Sequence, residues 1–417
     1  NEEWAVRIFS PIIHLFISLV LWGTAKFAFG SNSGKVAALI WIFTPAASLG
    51  GFIISTDTPL LLFWSLSLFF LLISIRQNSS FSSLFVGIFL GFAFLSKYAA
   101  LYFLIFLIIW WLIYDRSTFL SIKNISIILL TSALIASTNL YWNYLNDFAT
   151  VNHTISNANL SVLTLNYNNV IDFLSSQFLV FGPILFLLYL LVIIDSLFKN
   201  RDITLLAMIS FPIIILITVQ SFLKIANANW AVTAYVGATL IISYYATLKR
   251  NTVFKIFFYL GLFLNIAISA YILMITINGS FYPLNLKSNP LRKNLGFENL
   301  ASKIHDTFKE EKVSKIIFEK RGDISRFNYY LNRHDNNLKN KIFIKTNSLI
   351  PGNFYELNFN YDLINVTKGE KILIVKNIPD ISETNYNLHE IKFIKSITTK
   401  TVQNLKRTYY LYVGEIR

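Results

Sequence analysis

Asp57 and Lys97 are single charged residues, each standing between two long apolar runs, and both have side chains that could do chemistry. Asp57 sits in Ser55-Thr56-Asp57-Thr58-Pro59. As a helix start, Thr58 would cap, Pro59 would take the first helical position, and the helix dipole would favour the acid. As a functional group, the carboxylate would bind a substrate at a membrane surface. Lys97 sits in Ser96-Lys97-Tyr98. It is either a lysine that snorkels to the interface or a fixed cation for a phosphate. Trp142-Asn143 open a stretch that runs through Asp147 and His153 to Asp172 and is poor in charge. Trp142 suits an interfacial belt, and His153 could be a base, a sugar contact or a loop residue. Gln220 to Tyr235 holds Lys224, Asn229 and Trp230. An indole with amides suits a sugar ring, by stacking on its face and hydrogen bonding at its edge, while belt anchoring would also explain Trp230.

Phosphate-cradling glycine loops, metal-spaced His/Glu clusters and a serine elbow are absent from the sequence. The chain has no cysteine, so disulfides, thiolate catalysis and cysteine-zinc sites are excluded. Catalysis would have to use isolated acids, lysine and amides. No metal site is expected, a divalent ion stays an open question, and no organic cofactor is called for.

These residues must be positioned by membrane-spanning helices. Hydrophobic residues make up 54% of the 417, more than a soluble chain of this length can hide. Stretches free of Asp, Glu, Lys and Arg run over 8–25, 36–56, 58–75, 77–96, 98–114, 124–146, 173–194, 203–223, 225–248 and 256–286. A spanning helix needs about 20 apolar residues, so we expect ten helices, with Asp57 and Lys97 at helix ends, because a charge in hydrocarbon is costly. Alternate connections separate the basic residues unequally. One set holds Lys26, Lys35, Arg76, Arg116, Lys123, Lys199, Arg201, Lys249, Arg250 and Lys255, and the other only Arg7, Lys97 and Lys224. The positive-inside rule makes the first set cytoplasmic. The four polar segments then share the outer face, as does the C-terminus. No internal repeat and no pair of interrupted helices in matching halves is visible, which weighs against a secondary transporter.

The order of these segments resembles the bacterial dolichyl-phosphate-mannose-protein mannosyltransferase-like family. Those are lipid-linked-sugar glycosyltransferases of the GT-C fold, related to the aminoarabinose transferases of lipid A. The resemblance rests on Ser-Thr-Asp-Thr-Pro-Leu-Leu-Leu-Phe-Trp (55–64), Gly-Phe-Ala-Phe-Leu-Ser-Lys-Tyr (91–98), Tyr-Trp-Asn (141–143) followed by His153, and Asn-Trp-Ala-Val-Thr-Ala-Tyr (229–235). Weaker echoes are Asn-Pro-Leu-Arg-Lys (289–293) and Phe-Asn-Tyr-Tyr-Leu (327–331). No single motif is specific; their order is. It implies transfer of a hexosyl or pentosyl group from a polyprenyl-phosphate sugar to a glycan, lipid or protein acceptor, on the outer face of the bacterial cytoplasmic (inner) membrane. By resemblance Asp57 lies in the sugar or acceptor site and Lys97 near the donor phosphate. Trp142, Asn143, His153, Asn229 and Trp230 would line the cavity, with Lys224 beside them. The family carries its catalytic acid in a large first external loop after an earlier helix. This chain begins past that point, and Glu2 and Glu3 do not match the acid. The expectation is a chain lacking its first helix, first loop and general base.

Charge divides the chain into a membrane domain, 1–279, and an extracytoplasmic soluble domain, 280–417. The first holds 13 Lys/Arg and 8 Asp/Glu, the second 23 and 14. Strand-like runs at 313–318, 341–344, 371–375, 391–394 and 409–413, with helix-like stretches at 297–309 and 324–332, predict a small α/β or α+β domain. No nucleic-acid module is present; the expected partners are donor, acceptor and membrane lipids. Two other functions fit the same pattern: a transporter or flippase for a lipid-linked sugar, and a catalytically inactive relative.

Overall fold

The computed structural model describes residues 3–115, 120–158, 165–248, 252–278, 295–345, 351–363, 367–380, 386, 388–400 and 406–416. Two compact units emerge. Asn1–Leu145 and Ala158–Met274 form the first; Asn146–Asn157 and Ile275–Arg417 form the second.

The first unit and its flanks are helical. The helices are α1 (Glu3–Arg7), α2 (Phe9–Phe29), α3 (Ser31–Ile42), α4 (Pro45–Gly50), α5 (Asp57–Gln77), α6 (Ser80–Ser96), α7 (Leu101–Trp110), α8 (Ile122–Leu145), α9 (Ala149–Ala158), α10 (Tyr167–Val180), α11 (Pro183–Leu197), α12 (Arg201–Leu223), α13 (Ala234–Thr247) and α14 (Thr252–Asn278). Every expected apolar stretch contains a helix, and the polytopic helical fold is borne out. Five segments are long and apolar enough to cross a bilayer alone: Trp4–Phe29, Asp57–Gln77, Ile122–Leu145, Arg201–Leu223 and Thr252–Ile277. Ser80–Ser96 and Tyr98–Tyr114 are apolar but shorter. Leu130, Leu134, Leu191 and Phe263 are 70% or more exposed. Long apolar helices that expose leucine and phenylalanine to this extent suit a surrounding of lipid.

Three expected spans differ in detail. The stretch 36–56 is helical only to Ile42 and restarts at Pro45, because proline cannot donate the next helical hydrogen bond. The stretch 225–248 is helical only from Ala234, after a 3-10 turn at Ala228–Ala231. The stretch 173–194 is broken at Gly182 by a 106° bend between α10 and α11. Gly182 has φ +102°, and an added Cβ would lie 1.8 Å from Asn265 Oδ1 on α14. Asn265 Nδ2 meanwhile donates to the Phe181 carbonyl freed by the bend, at 3.0 Å. An interrupted helix is therefore present that the apolar pattern had hidden.

Helix ends carry the charges. On α5, Asp57 and Arg76 lie 19 residues apart, about 29 Å along the axis, which matches the thickness of a hydrocarbon core. Arg76 spreads its guanidinium over the carbonyls of Phe27 and Ala28, both at 2.8 Å, and over Asp202 at 2.5 Å. Arg201 holds the other oxygen of Asp202 at 3.1 Å. One end of α2, α5 and α12 is thus tied by charge-assisted hydrogen bonds. Arg116, Lys249 and Arg250, counted with these, lie outside the described residues.

The second unit contains α15 (Phe297–Glu310), β1 (Lys315–Phe318), α16 (Arg321–His334), β2 (Ile342–Ile344), α17 (Phe354–Asn358), β3 (Lys371–Lys376), β4 (Leu388–Lys400) and β5 (Lys406–Ile416). The sheet order is β2-β1-β3-β5-β4. The β1 strand pairs in parallel with β2 and β3, and β5 pairs antiparallel with β3 and β4. Strand periodicity splits the core in two. Ile316, Phe318, Leu373 and Val375 pack with α15 and α16, while Ile317, Ile372 and Ile374 face the other way with Tyr361 and Tyr386. The expected small α/β domain is present, its last two strands, β4 and β5, longer than the apolar runs suggested. The echo at 289–293 lies outside the described residues.

Gly182→Ala tests the bend. Adding a methyl there demands a disfavoured backbone and a clash with Asn265, so the loss should be about 2–4 kcal/mol. Thermal unfolding in detergent reads it; a loss under about 0.5 kcal/mol would show that the bend is not constrained.

Candidate functional site

Asp57 begins α5, two residues earlier than a Thr58 cap would place its start. The N-cap position is Thr56, whose side chain makes no capping bond. Ser55 takes that role: its Oγ accepts the Asp57 backbone N–H at 3.0 Å. Pro59 falls in the first turn, where its missing N–H costs nothing. The carboxylate is thereby fixed at the positive end of the α5 dipole.

Two further segments close on it. Lys97, in extended backbone immediately after α6, places Nζ 2.6 Å from Asp57 Oδ1. The Asp57 side chain is 14% exposed and that of Lys97 29%. Asn229, in the 3-10 turn before α13, donates from Nδ2 to Asp57 Oδ2 at 2.5 Å. Each carboxylate oxygen thus has a different partner, from chain segments 40 and 172 residues away. That turn is itself anchored. Gln177 on α10, fully buried, donates to the Ala228 carbonyl at 3.3 Å and accepts from the buried Tyr235 hydroxyl at 2.7 Å. Tyr235 stacks on Phe181 with ring centroids 4.6 Å apart.

A second polar cluster adjoins Lys97. Tyr98 donates its hydroxyl to Asn139 Oδ1 at 2.7 Å. Asn143, completely buried on α8, donates to the Tyr98 hydroxyl at 3.2 Å and to Asn139 Oδ1 at 3.1 Å. Phe94 stacks on Tyr98 at 4.9 Å. An apolar slot of about 510 Å³ lies next to this cluster, lined from α6, α7, α8 and the turn before α7.

Of the expected site residues, Asp57, Lys97 and Asn229 meet directly, and Asn143 joins the adjoining cluster. Trp142 is one residue away on α8 and 40% exposed. Trp230 follows Asn229 and packs half-buried against the helical core. Lys224 ends α12, half-buried, its backbone N–H bonded to the Gln220 carbonyl at 3.2 Å. His153 falls within α9 in the second unit, and its side chain lies outside the described residues. Ser55, Asn139 and Gln177 were not singled out from the sequence. Lone serines and amides carry no motif; Asn139 and Asn143 do share the four-residue spacing of one helix face, which is the signal that was available. Among the described residues no three His, Asp or Glu side chains are placed to hold a metal ion.

Residues 1–142 match the family described as dolichyl-phosphate-mannose-protein mannosyltransferase. The lipid A galacturonosyltransferase RgtD of Rhizobium johnstonii is 32% identical over 251 residues, 60% of this chain and 53% of that protein. The chain thus spans about half the length of that relative. ArnT from Cupriavidus metallidurans in the apo state superposes with a TM-score of 0.58 at 13% identity, covering 99% of this chain and 83% of ArnT. ArnT bound to undecaprenyl phosphate gives 0.58 at 11% identity, covering 98% and 84%. The resemblance read from the sequence is borne out: residues 1–142 match the mannosyltransferase family, and the chain has the fold of ArnT.

Proposed function

We propose that this protein is a glycosyltransferase that moves a hexosyl or pentosyl group from a polyprenyl-phosphate donor to an acceptor at the outer face of the cytoplasmic membrane. The observation that carries the reading is the Asp57–Lys97 pair, held by Asn229 at one end of apolar helices. A lipid-linked donor keeps its tail in the bilayer, so its phosphate waits at the depth of such a helix end. The RgtD and ArnT comparisons support the same donor class, since ArnT has been crystallised with undecaprenyl phosphate.

The reaction breaks the bond between the anomeric carbon and the phosphate oxygen and makes one to the acceptor oxygen. Charge grows on the departing phosphate, and the Lys97 ammonium would neutralise it. The acceptor hydroxyl must lose a proton, for which Asp57 is the candidate base among the described residues. Asn229, Asn143, Trp142 and Trp230 would meet the sugar, with Lys224 at the rim of the same loop. The donor is already activated, so the scheme calls on neither nucleotide nor metal. The acceptor is a glycan, a lipid or a protein.

Orientation follows from the basic residues, and the absence of cysteine makes it easy to read. Cysteine placed at Ser55 should react with an impermeant maleimide added outside intact cells, and cysteine placed at Ser79, at the other end of α5, should not. The reverse pattern would put the site inside and end the proposal. For the chemistry, the full-length protein is given a synthetic polyprenyl-phosphate sugar. Lys97→Ala should slow transfer by about 2–4 kcal/mol of barrier, the scale of one lost oxyanion donor. Lys97→Arg should keep part of the rate, because the charge stays. Undiminished transfer by the alanine variant at equal expression would reduce Lys97 to a membrane anchor, and movement of the lipid without transfer would mark a flippase.

A further inference from the structure

We propose that the cavity beside the Arg76–Asp202–Arg201 cluster binds one anionic membrane phospholipid by its phosphodiester head. The cavity lies at the opposite end of α5 from Asp57. It is separate from the site of the proposed sugar transfer, and the inference does not depend on that transfer.

The first observation is charge. Arg76 and Arg201 share the single carboxylate of Asp202, Arg76 on Oδ2 and Arg201 on Oδ1. Asp202 is the only acid among the described residues that line the cavity. The cluster therefore carries one positive charge more than it cancels. The Asp202 side chain is withdrawn, 9% exposed, while those of Arg76 and Arg201 stay 30% and 26% exposed. Arginines at a cytoplasmic helix end usually serve topology alone. Topology does not require two of them to converge on one acid and open on a cavity.

The second observation is the donor supply. The acceptors of this cluster are engaged, but its donors outnumber them. Arg76 makes four bonds, to Asp202, Phe27 and Ala28, and a guanidinium has five N–H groups to give. The cavity also opens on the start of α12, where Asn200 caps the helix by accepting the Ile203 N–H at 3.1 Å. A helix start adds to the attraction for an anion.

The third observation is shape and depth. The cavity holds about 320 Å³, close to the smallest ligand pockets at about 300 Å³, which is room for a headgroup and not for a chain. Ala28, Phe29 and Tyr244 form its apolar side, the two rings 5.1 Å apart. A free ion has no use for such a wall, whereas the glycerol and first acyl carbons of a lipid do. Arg76 stands at the hydrocarbon boundary, and the count of basic residues puts that boundary inside. Basic pockets between spanning helices on that side suit anionic headgroups. The single surplus charge matches a phosphodiester, while a phosphomonoester brings about −1.5 to −2.

The test titrates the full chain in detergent with phosphatidylglycerol and with phosphatidylcholine, and reads bound lipid by native mass spectrometry. One phosphatidylglycerol should bind about tenfold more tightly than phosphatidylcholine, the scale of one charge-assisted hydrogen bond. Arg201→Gln removes the surplus charge and leaves Arg76 on Asp202, and it should erase the preference; Arg201→Lys should keep part of it. Ala28→Trp fills the cavity without touching a charge and should weaken phosphatidylglycerol binding to a similar extent. Lys199→Gln makes the same charge change outside the lining and should leave the preference intact. Thermal unfolding shows which variants fold, and either Arg201→Gln or Ala28→Trp suffices. No preference in the wild type, a preference that survives in a folded Arg201→Gln or Ala28→Trp variant, or an equal loss in Lys199→Gln would overturn the inference. Displacement of phosphatidylglycerol by inorganic phosphate would overturn it in favour of a soluble anion. Each of these outcomes leaves the sugar-transfer reading untouched.

Discussion

The Asp57 carboxylate is the point on which the helical unit turns. Two segments far apart in sequence reach it, while Ser55 of its own segment holds its backbone N–H. A carboxylate and an ammonium in such a place are stable only together. Each is mostly withdrawn from water, and removal of one partner leaves the other's charge uncompensated. The pair therefore fixes the distance between the start of α5 and the end of α6, while Asn229 fixes the loop before α13. Everything that touches this loop inherits the constraint: Gln177 below it, Tyr235 below that, and Phe181 at the bend of α10.

The opposite end of the same helices solves a different problem. Arg76 uses its fork on two carbonyls that a helix end leaves unpaired, and on Asp202. Every partner there is spoken for, so the arrangement reads as a staple between α2, α5 and α12. At the Asp57 end the donors are a flexible ammonium and a single amide on an exposed residue. Such partners can be exchanged. The two charged ends of α5 thus differ in how firmly their partners are held, although both hold an acid and a base, and a cavity of about 320 Å³ lined by Arg76, Arg201 and Asp202 opens beside the staple.

The sequence shows the helical fold well, because the cost of a charge in hydrocarbon is large enough to mark nearly every span boundary. Asp57 and Lys97 stand out for that reason alone. The sheet was legible through five short apolar runs, and the helices through their amphipathic pattern. What the sequence hid was local. A run free of charge reads as one span although Gly182-Pro183 is a local break signal; what the sequence could not show is the Asn265 contact that accommodates the bend, 84 residues from Phe181. Ser55 displaced Thr58 at the start of α5 because a hydroxyl two residues before Asp57 could reach its N–H. The pairing of Asp57 with Lys97 was also hidden: each was read as meeting a substrate, and topology made them meet each other.

That meeting bears on how the site would work. With the site empty, Lys97 rests on Asp57. A phosphate arriving at the bilayer surface brings more negative charge than the carboxylate does, and it competes for the same ammonium. When Lys97 turns to the phosphate it stays beside Asp57, and Asn229 and the helix dipole continue to hold the carboxylate. Binding the donor would thus do two things through one movement: it would place a counter-charge on the leaving group, and it would free one oxygen of the carboxylate for the acceptor hydroxyl. Neither group need be reactive before the donor is present, and a sugar transferase facing water has reason to be built that way, because water is the acceptor it must refuse.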